Sequence, residues 1–491
     1  MATVSTKSSV NLAARALIIL AAASAFSLGA YLLVSALTFR TGFPLDDSWI
    51  HLTYARNLAL RGEWAFLPGV PSAGSTAPLW SALLALGFLF RLGPYMWTYL
   101  LGGSLLFGLA ALAELAARRL MPDYKTALPF IGLFFVFEWH FVWAAGSGME
   151  TLLHASLLTL VLLLLTRPSP PSLTLGLLTA LSVWVRPDGL TLLGPVALTL
   201  LLRERPAAHL TRFFLGFALL FGLYLLFNLF LSGNPLPNTF YAKQAEYAAW
   251  QAKPLLEKTG LTFLQILTGS SVALLPGVVI WIVKSIRTRE WGTISAALWA
   301  FGFIGLYALR LPPYQHGRYL MPAMPILFLW GLLGAWQFIR EGAARFESRV
   351  TRLAWAASIV MLTVAFWGLG ARSYGQDVAL IESEMVAVAK WVDANLPSDA
   401  LIAAHDIGAL GYFDQHVLID MAGLVSPEVI PFLRDETQLA AYLDARGADY
   451  LIVFPHVYPG LTASLDTVFA GTGMFGPALG GENLIVYRWG R

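Results

Sequence analysis

The sequence predicts a polytopic α-helical membrane protein of about 11–13 transmembrane helices with a C-terminal soluble α/β domain. Of its 491 residues, 57% are hydrophobic and only 12% are charged, whereas about a quarter of the residues in a soluble domain are charged. Long apolar segments recur up to about residue 370 and then stop. We therefore expect a transmembrane domain over residues 1–370 and an extracytoplasmic domain over residues 371–491.

Roughly twelve apolar segments could cross a bilayer, at about 20 residues per span. The first contains Arg15 near its start and resembles a signal peptide, but no clear cleavage site follows it. We therefore predict an uncleaved helix with a cytoplasmic N-terminus. Two segments, 173–185 and 190–202, could form one broken helix. The twelve lie near residues 11–38, 77–92, 95–117, 127–145, 151–166, 173–185, 190–202, 213–231, 262–284, 292–310, 319–339 and 352–370.

Basic residues cluster in short loops, and the positive-inside rule assigns those loops to the cytoplasm. The clusters lie at residues 118–125, 167, 203–212, 284–289 and 340–352. One conflict arises, because two full crossings by 77–92 and 95–117 would leave Arg118 and Arg119 outside. We favour a short 77–92 segment that does not cross fully over an exception to the rule.

After residue 370 the pattern becomes that of a soluble α/β domain. Residues 377–395 suit an amphipathic helix, and Glu436–Arg446 suits a helix between two strands. Short buried strands are predicted at Leu401–Ala404, Val417–Asp420, Tyr450–Phe454 and Leu484–Arg488.

Composition also excludes several classes of function. The chain has no cysteine, which excludes disulfides, thiolate metal sites and a cysteine nucleophile. Its formal charge of +3 is small for this length, and the basic loops indicate membrane topology and not nucleic-acid binding.

Two adjacent carboxylates, Asp46 and Asp47, follow directly on the first apolar segment. Anchoring at a membrane boundary does not call for two acids, whereas a membrane enzyme would keep a general base there. The alternative is that they cap the helix suggested by residues 48–60, since aspartate is a favoured cap.

Further polar motifs fall on the same predicted face of the membrane, where ionisable groups usually mark a functional cavity. Each has a structural alternative: a boundary charge for Glu150, an internal ion pair for Arg186 and Asp188, a turn around Asn238, and interfacial anchoring for His316. The candidate residues are Glu150, Arg186, Asp188, Asn238, Lys243, His316 and Arg318. In the C-terminal domain, His405 and Asp406 are candidates for acceptor binding, with a loop and a helix cap as the alternative.

Carboxylates and cations that converge on one cavity suit group transfer from a lipid phosphate. A leaving phosphate develops negative charge, which Arg186, Lys243, His316 or Arg318 could meet. The attacking hydroxyl must lose a proton, which Asp46 or Asp47 could accept. Adjacent residues on a helical turn diverge by about 100°, so we expect one aspartate to be the base and the other to orient it, bind sugar or help to hold a metal.

Together these residues resemble the GT-C fold of integral-membrane glycosyltransferases that use polyprenyl-phosphate sugars, whose hallmark is an acidic motif in the first extracytoplasmic loop. More closely, the chain is similar to the actinobacterial terminal β-arabinofuranosyltransferase family, which decorates arabinan from decaprenyl-phosphoryl-arabinose. The stretches that carry the resemblance are Asp46-Asp47, residues 54–57, 75–80, 148–151, 186–189, 237–243, 317–319 and 406–412.

The resemblance implies an inverting transfer at the extracytoplasmic face, with Asp46 or Asp47 as base and a C-terminal domain that helps to bind the acceptor glycan. Ala77 and Met149 depart from the family pattern, which often has Asn and Leu there, so a hexose or another pentose donor stays open. The implied partners are a lipid-linked sugar donor, a glycan acceptor and membrane lipids. Metal dependence stays open, because Asp46, Asp47 and Glu150 could supply hard oxygen ligands to a divalent cation, but no spacing in the sequence demands one.

Two other functional classes compete with the enzyme. A transporter or flippase for a lipid-linked precursor would also have many helices and buried charges, but transporters commonly contain internal repeats, and none is visible. A non-catalytic scaffold of an envelope-assembly complex would have no reason to keep these charges on one face.

Overall fold

A computed structural model describes residues 2–340, 346–478 and 480–490, without the side chains of residues 2–13 and residue 346. Up to residue 383 it is helical. The helices are α1 (Ala2–Thr38), α2 (Asp47–Arg61), α3 (Pro78–Leu89), α4 (Pro94–Leu120), α5 (Phe130–Phe137), α6 (Trp139–Gly146), α7 (Thr151–Leu165), α8 (Ser172–Val185), α9 (Leu193–Leu201), α10 (Pro206–Ser232), α11 (Asn238–Glu246), α12 (Ala248–Gln251), α13 (Leu255–Leu267), α14 (Ser271–Arg287), α15 (Trp291–Arg310), α16 (Met324–Arg340) and α17 (Phe346–Ser383). Short 3₁₀ turns occupy Pro187–Leu192, Gln315–Gly317 and Met321–Ala323.

Within the described residues, six helical stretches are long and apolar enough to cross a membrane, and the bent pair α13 and α14, which meet at 98°, would make a seventh. Four further apolar helices contain only 10–17 residues. The six are Ala14–Thr38, Pro94–Leu120, Pro206–Ser232, Trp291–Arg310, Gln315–Arg340 and Glu347–Asn395. The predicted fold class is confirmed, while a number of about 11–13 crossings is reached only if the shorter helices also cross.

Several predicted spans are short or interrupted. Helix α3 has 12 residues and therefore covers about 18 Å, less than the hydrocarbon core of about 30 Å. This length supports the interpretation that segment 77–92 does not cross fully. Segment 127–145 breaks at Glu138, whose carboxylate accepts the N–H of His140 at 3.0 Å. The break expected between 173–185 and 190–202 occurs at Arg186, whose backbone is extended.

The basic ends of several helices gather at the end of the bundle opposite Asp46 and Asp47. Lys284 and Arg340 line one cavity of about 410 Å³ together with Asp123, which follows α4. The other end of α4 lies beside the loop before Asp46, because Tyr99 donates a hydrogen bond to the carbonyl of Gly42 at 2.7 Å. The 27 residues of α4 separate the two ends by about 40 Å. Residues 341–345, inside the last basic cluster, lie outside the described residues.

The C-terminal region forms a five-stranded sheet with helices. Its elements are α18 (Met385–Asn395), β1 (Leu401–Ala404), α19 (Gly408–Phe413), β2 (Val417–Asp420), α20 (Glu436–Arg446), β3 (Tyr450–Val453), α21 (Pro459–Thr462), β4 (Thr467–Ala470), α22 (Phe475–Ala478) and β5 (Ile485–Arg488), with 3₁₀ turns at Pro427–Phe432 and Pro455–Val457. The strand order is β2-β1-β3-β5-β4. Strand β1 is parallel to both neighbours, and β5 is antiparallel to β3 and β4.

Two features of this region differ from the prediction. Residues 377–395 are not one helix, because α17 continues through residue 383 and ends before Glu384, whose carboxylate accepts the N–H of Leu484 at 3.1 Å. Strand β4 was not predicted. It is an edge strand with no fully buried residue and an irregular register against β5, so it lacks the apolar run by which the other strands are recognised.

The C-terminal region packs on α2 through α19, and this contact positions the loop that carries the two aspartates. One continuous core contains Trp49 and Trp80 from the membrane region together with Ile407 and Leu410 from the segment around α19. Arg56 of α2 donates hydrogen bonds to the carbonyls at the end of α19, at 2.6 Å and 3.1 Å.

Candidate active site

Asp47 lies at the edge of a small polar cavity. It is the first residue of α2, and its side chain is 41% exposed. Its carboxylate accepts a hydrogen bond from Arg318 Nη2 at 2.5 Å. The cavity has a volume of about 40 Å³ and is lined by Asp47, Ile50, His51, Gly74, Thr76, Met149, Glu150, Arg186, Thr239, Lys243, Arg318 and Leu424. Asp47 and Arg318, which are 271 positions apart in the chain, thus meet at one point.

Three cations from different parts of the chain surround the ring of Tyr319. The charged groups of Arg318, Lys243 and Arg186 lie 4.8 Å, 5.0 Å and 5.3 Å from the centre of that ring. The electron-rich faces of aromatic rings attract cations at such distances. Nε and Nη1 of Arg318 are buried and have no hydrogen-bond partner. The guanidinium therefore retains N–H donors for an anion.

Two carboxylates, the buried Glu150 and the partly buried Asp188, hold Arg186 in place. Its Nη1 donates to Glu150 Oε1 at 2.7 Å, and its Nε lies 3.2 Å from both oxygens of Asp188. Asp188 also accepts a hydrogen bond from Tyr307 at 2.5 Å. The internal ion pair expected within residues 186–189 is present, and the link to Glu150 connects it to the cavity. Arg186 is thus anchored by two anions, whereas Arg318 is anchored by one.

Asp46 has a different environment from Asp47. Its side chain does not cap α2; instead, its two oxygens accept the backbone N–H groups of Gly408 at 2.7 Å and Ala409 at 2.8 Å. It is 8% exposed. Burial, and then repulsion from Asp406, raise its pKa to about 7, although the two N–H groups oppose this shift. Asp46 therefore ties the membrane region to the C-terminal domain.

The pKa of Asp47 shifts in the opposite direction. Partial burial alone would raise this pKa, but the charges of Arg318 and Lys243 have the larger effect and hold it at about 2. The surroundings of the two adjacent carboxyl groups therefore shift their pKa values in opposite directions. Asp47 faces cations and the cavity, and Asp46 faces backbone donors.

Gly408 fits against Asp46 only because it has no side chain. A Cβ atom there would lie 2.1 Å from the carbonyl oxygen of Asp46 and 2.6 Å from its carboxylate. We expect Gly408→Ala to separate α19 from Asp46 and to destabilise the protein by about 1–3 kcal/mol. The measurement is the melting temperature of the purified protein in detergent.

Gly260→Ala is the matched control for Gly408→Ala, because a Cβ atom at this helical position meets no atom within 4 Å. It should leave the melting temperature unchanged or raise it slightly. Equal melting temperatures for the Gly408 and Gly260 variants would contradict the assigned role of Asp46.

The remaining candidate residues fall into three places. The side-chain N–H of Asn238 donates to the Leu424 carbonyl at 3.1 Å, which ties α11 to the C-terminal domain. His316 does not join the cavity: its Nε2 lies 2.7 Å from Asp377 Oδ2, because the backbone of residue 316 turns with a positive φ of 57°. The predicted convergence of His316 with the other cations therefore does not occur.

His405 and Asp406 line a separate, larger cavity of about 1130 Å³ between the C-terminal domain and the segment around α12. Its wall also carries Tyr247, Trp250 and Arg434. The two candidates are close to each other, with His405 Nδ1 3.5 Å from Asp406 Oδ2. Asp406 is also near enough to Asp46 to raise its pKa, so the large cavity adjoins the aspartate loop.

The described residues include no group of three or more His, Cys, Asp or Glu side chains positioned to hold a metal ion. The oxygens of Asp46 face backbone N–H groups, and Glu150 Oε1 faces Arg186. Asp46, whose two oxygens are already bound by N–H groups, therefore does not share a cation with Asp47 and Glu150 in this arrangement.

His51 and Tyr319 contribute to the site but were not among the sequence candidates. His51 lines the cavity, and Tyr319 holds the three cations. A signal existed for His51, which lies four residues after Asp47 and hence on the same face of a helix. Tyr319 lies in the stretch 317–319 that carries the family resemblance, but it was not singled out, because an aromatic residue beside an arginine is common at membrane interfaces.

Comparison with known proteins supports the architecture. Residues 363–487 match a family model described as a domain of unknown function (DUF8728), and no curated protein matches by sequence. ArnT from Cupriavidus metallidurans, solved bound to undecaprenyl phosphate, superimposes with a TM-score of 0.61 at 15% identity, over 96% of this chain and 97% of that chain. The chain has the GT-C fold.

Two further structures share this fold. The oligosaccharyltransferase of Archaeoglobus fulgidus, solved with zinc and sulfate, matches with a TM-score of 0.60 at 11% identity, over 89% of this chain and 68% of that one. The mycobacterial arabinofuranosyltransferase AftD matches with a TM-score of 0.53 at 15% identity, over 96% of this chain and 41% of its own length. The GT-C fold predicted from the sequence is confirmed by these similarities.

Proposed function

We propose that this protein is a membrane glycosyltransferase that moves a sugar from a polyprenyl-phosphate donor to a hydroxyl of an extracytoplasmic glycan. The observation that carries this proposal is the cavity in which Asp47 faces Arg186, Lys243 and Arg318. One carboxylate beside a cluster of cations provides both groups that the transfer needs, a base for the acceptor and counter-charges for the leaving phosphate.

Asp47 is the better candidate for the general base. Position comes before pKa in assigning a base, and Asp47 lines the cavity whereas both oxygens of Asp46 are occupied by backbone N–H groups. The low pKa of Asp47 is caused by Arg318 and Lys243 acting against burial. A bound phosphate would share these cations, and its negative charge would raise the pKa of Asp47 at the moment when a base is needed.

In the proposed reaction, the acceptor oxygen bonds to the anomeric carbon as the bond between that carbon and the phosphate oxygen breaks. The proton of the acceptor hydroxyl passes to Asp47, and the electron pair of the broken bond stays on the polyprenyl phosphate. Arg318 and Lys243 stabilise that charge. Attack on the face opposite the phosphate inverts the anomeric configuration.

An apolar cavity beside the polar one suits the lipid tail of the donor. It has a volume of about 310 Å³ and shares Thr76, Arg186, Thr239 and Lys243 with the Asp47 cavity. Its lining includes Leu306 of α15, which also lines a third cavity of about 260 Å³ between α9 and α15. A donor whose phosphate is bound by Arg186 and Lys243 would thus have its first isoprene units along α15.

Leu306→Trp should fill the junction of these two cavities and raise the KM for a long-chain donor about tenfold or more, because an inserted indole displaces the lipid tail. The measurement compares KM for donors with long and short prenyl chains. Leu219→Trp is the control, because Leu219 is exposed on the surface of α10. An equal change in KM for both chain lengths would contradict this path for the tail.

The large cavity lined by His405 and Asp406 suits the acceptor. It combines aromatic residues such as Tyr247 and Trp250 with the charges of Asp406 and Arg434, and sugars bind to such mixed surfaces by stacking and hydrogen bonding. The extracytoplasmic location of both cavities is supported by the basic helix ends at the opposite end of the bundle.

The experiment that tests the function is transfer by purified protein in lipid from a panel of radiolabelled polyprenyl-phosphate sugars, with pentose and hexose donors. Transfer from one donor class to a glycan acceptor is the expected result. No transfer from any donor by a folded protein would contradict the enzyme and favour the transporter or flippase.

A further inference from the structure

His51 presents one ring nitrogen to the active-site cavity and keeps the other in a fixed contact. It lies on α2, one turn after Asp47, and lines the same cavity. Its Nδ1 lies 3.0 Å from Ser81 Oγ and 3.3 Å from Ser75 Oγ. These contacts orient the ring so that Nε2 points toward Glu150.

His51 Nε2 and Glu150 Oε2 are near each other but do not satisfy each other. They are 3.5 Å apart, beyond the usual 2.7–3.2 Å of an N–H···O hydrogen bond. Glu150 Oε2 is buried and has no hydrogen-bond partner, while Oε1 is bound by Arg186. A buried carboxylate oxygen without a donor costs free energy unless a ligand or water supplies one.

A hydroxyl group that lies beside the pair, at about 2.8–3.0 Å from each atom, can bridge the two atoms, because it accepts one hydrogen bond and donates another. Burial, together with the charges of Arg318 and Lys243, lowers the pKa of His51 against the opposing effect of Glu150 and Asp47. The neutral imidazole can then donate from Nε2 to a hydroxyl oxygen, and that hydroxyl can donate to Glu150 Oε2.

We propose that His51 and Glu150 bind the donor-sugar hydroxyl next to the anomeric carbon and select donors that carry it. The inference rests on the proposed function, which puts the acceptor at Asp47 and the phosphate at Arg186, Lys243 and Arg318. The sugar ring must lie between these groups, beside the pair. The hydroxyl nearest to the reacting carbon is the one on the adjacent ring carbon, and hydrogen bonds to it strengthen in glycosyl-transfer transition states.

The test uses two substitutions that retain different nitrogens of the imidazole. The amide nitrogen of His51→Gln can occupy the position of Nε2, and that of His51→Asn the position of Nδ1. The donors are decaprenyl-phosphoryl-arabinofuranose and its 2-deoxy analogue, or the corresponding pair for whichever sugar the wild-type protein transfers.

With the hydroxylated donor, we expect His51→Asn to lose about 100-fold in kcat/KM and His51→Gln to lose less than about tenfold, as for one hydrogen bond in a bridge to the charged Glu150 carboxylate. With the 2-deoxy donor, both variants should be within about threefold of the wild type. Equal losses on the two donors would overturn the inference while leaving the enzyme intact. Absence of transfer from every donor by the wild type would overturn the proposed function and this inference together.

Discussion

Asp47→Asn is expected to reduce the turnover number for sugar transfer by about 10²–10⁴-fold, the usual contribution of a general base. The amide retains the size of the carboxylate and can still accept a hydrogen bond from Arg318, so the variant should fold and bind donor. Because the lost group is the proposed base for the acceptor hydroxyl, the loss should appear in kcat more than in the donor KM. The measurement is steady-state transfer with the donor identified from the panel.

Two variants provide the controls for this prediction. Asp393→Asn removes an exposed carboxylate from α18 and should leave kcat unchanged. Asp46→Asn removes one of two hydrogen bonds to the α19 backbone and should lower the melting temperature more than Asp47→Asn does. If Asp46→Asn abolished transfer in a stable protein while Asp47→Asn remained active, the assignment of the base would be reversed.

Arg186→Met is expected to destabilise the protein by about 3–5 kcal/mol, because it leaves the buried Glu150 and the partly buried Asp188 without their cation. The methionine fills a similar volume, so the loss reports the charge and not a cavity. The melting temperature in lipid or detergent measures it. Arg212→Met, at an exposed position of α10, is the control and should change stability little.

A second substitution separates the ion network from packing. In an Arg186→Met background, Glu150→Gln removes one of the two orphaned charges and should recover part of the lost stability. Additive losses in the double variant would contradict the network.

The sequence was sufficient for the fold and for the principal members of the site, because each depends on a local pattern. The principal candidates are charged residues beside apolar segments, where an ionisable group is costly and usually marks a functional site. They are Asp47, Glu150, Arg186, Lys243 and Arg318. Because successive segments cross the membrane in opposite directions, the sequence predicts that these charges lie on one face of the membrane. The structure places them around one cavity. His51, one helical turn after Asp47, and Tyr319, directly after Arg318, were harder to recognise.

His316 shows why the remainder could not be predicted. It lies two residues from Arg318, yet a positive φ at position 316 directs its ring to Asp377 and the ring of Trp143. The distinct environments of Asp46 and Asp47 are also tertiary in origin, since Gly408 is 362 residues from Asp46. No local pattern in the sequence records such contacts.

The most direct test of the central claim is an experimental structure of the protein in lipid with polyprenyl phosphate bound. The account predicts the phosphate within hydrogen-bond distance of Arg318 and Lys243, beside Asp47, with the first isoprene units along Leu306 of α15. A phosphate more than about 10 Å from Asp47 would contradict it, because the base and the leaving group must act on one reacting centre.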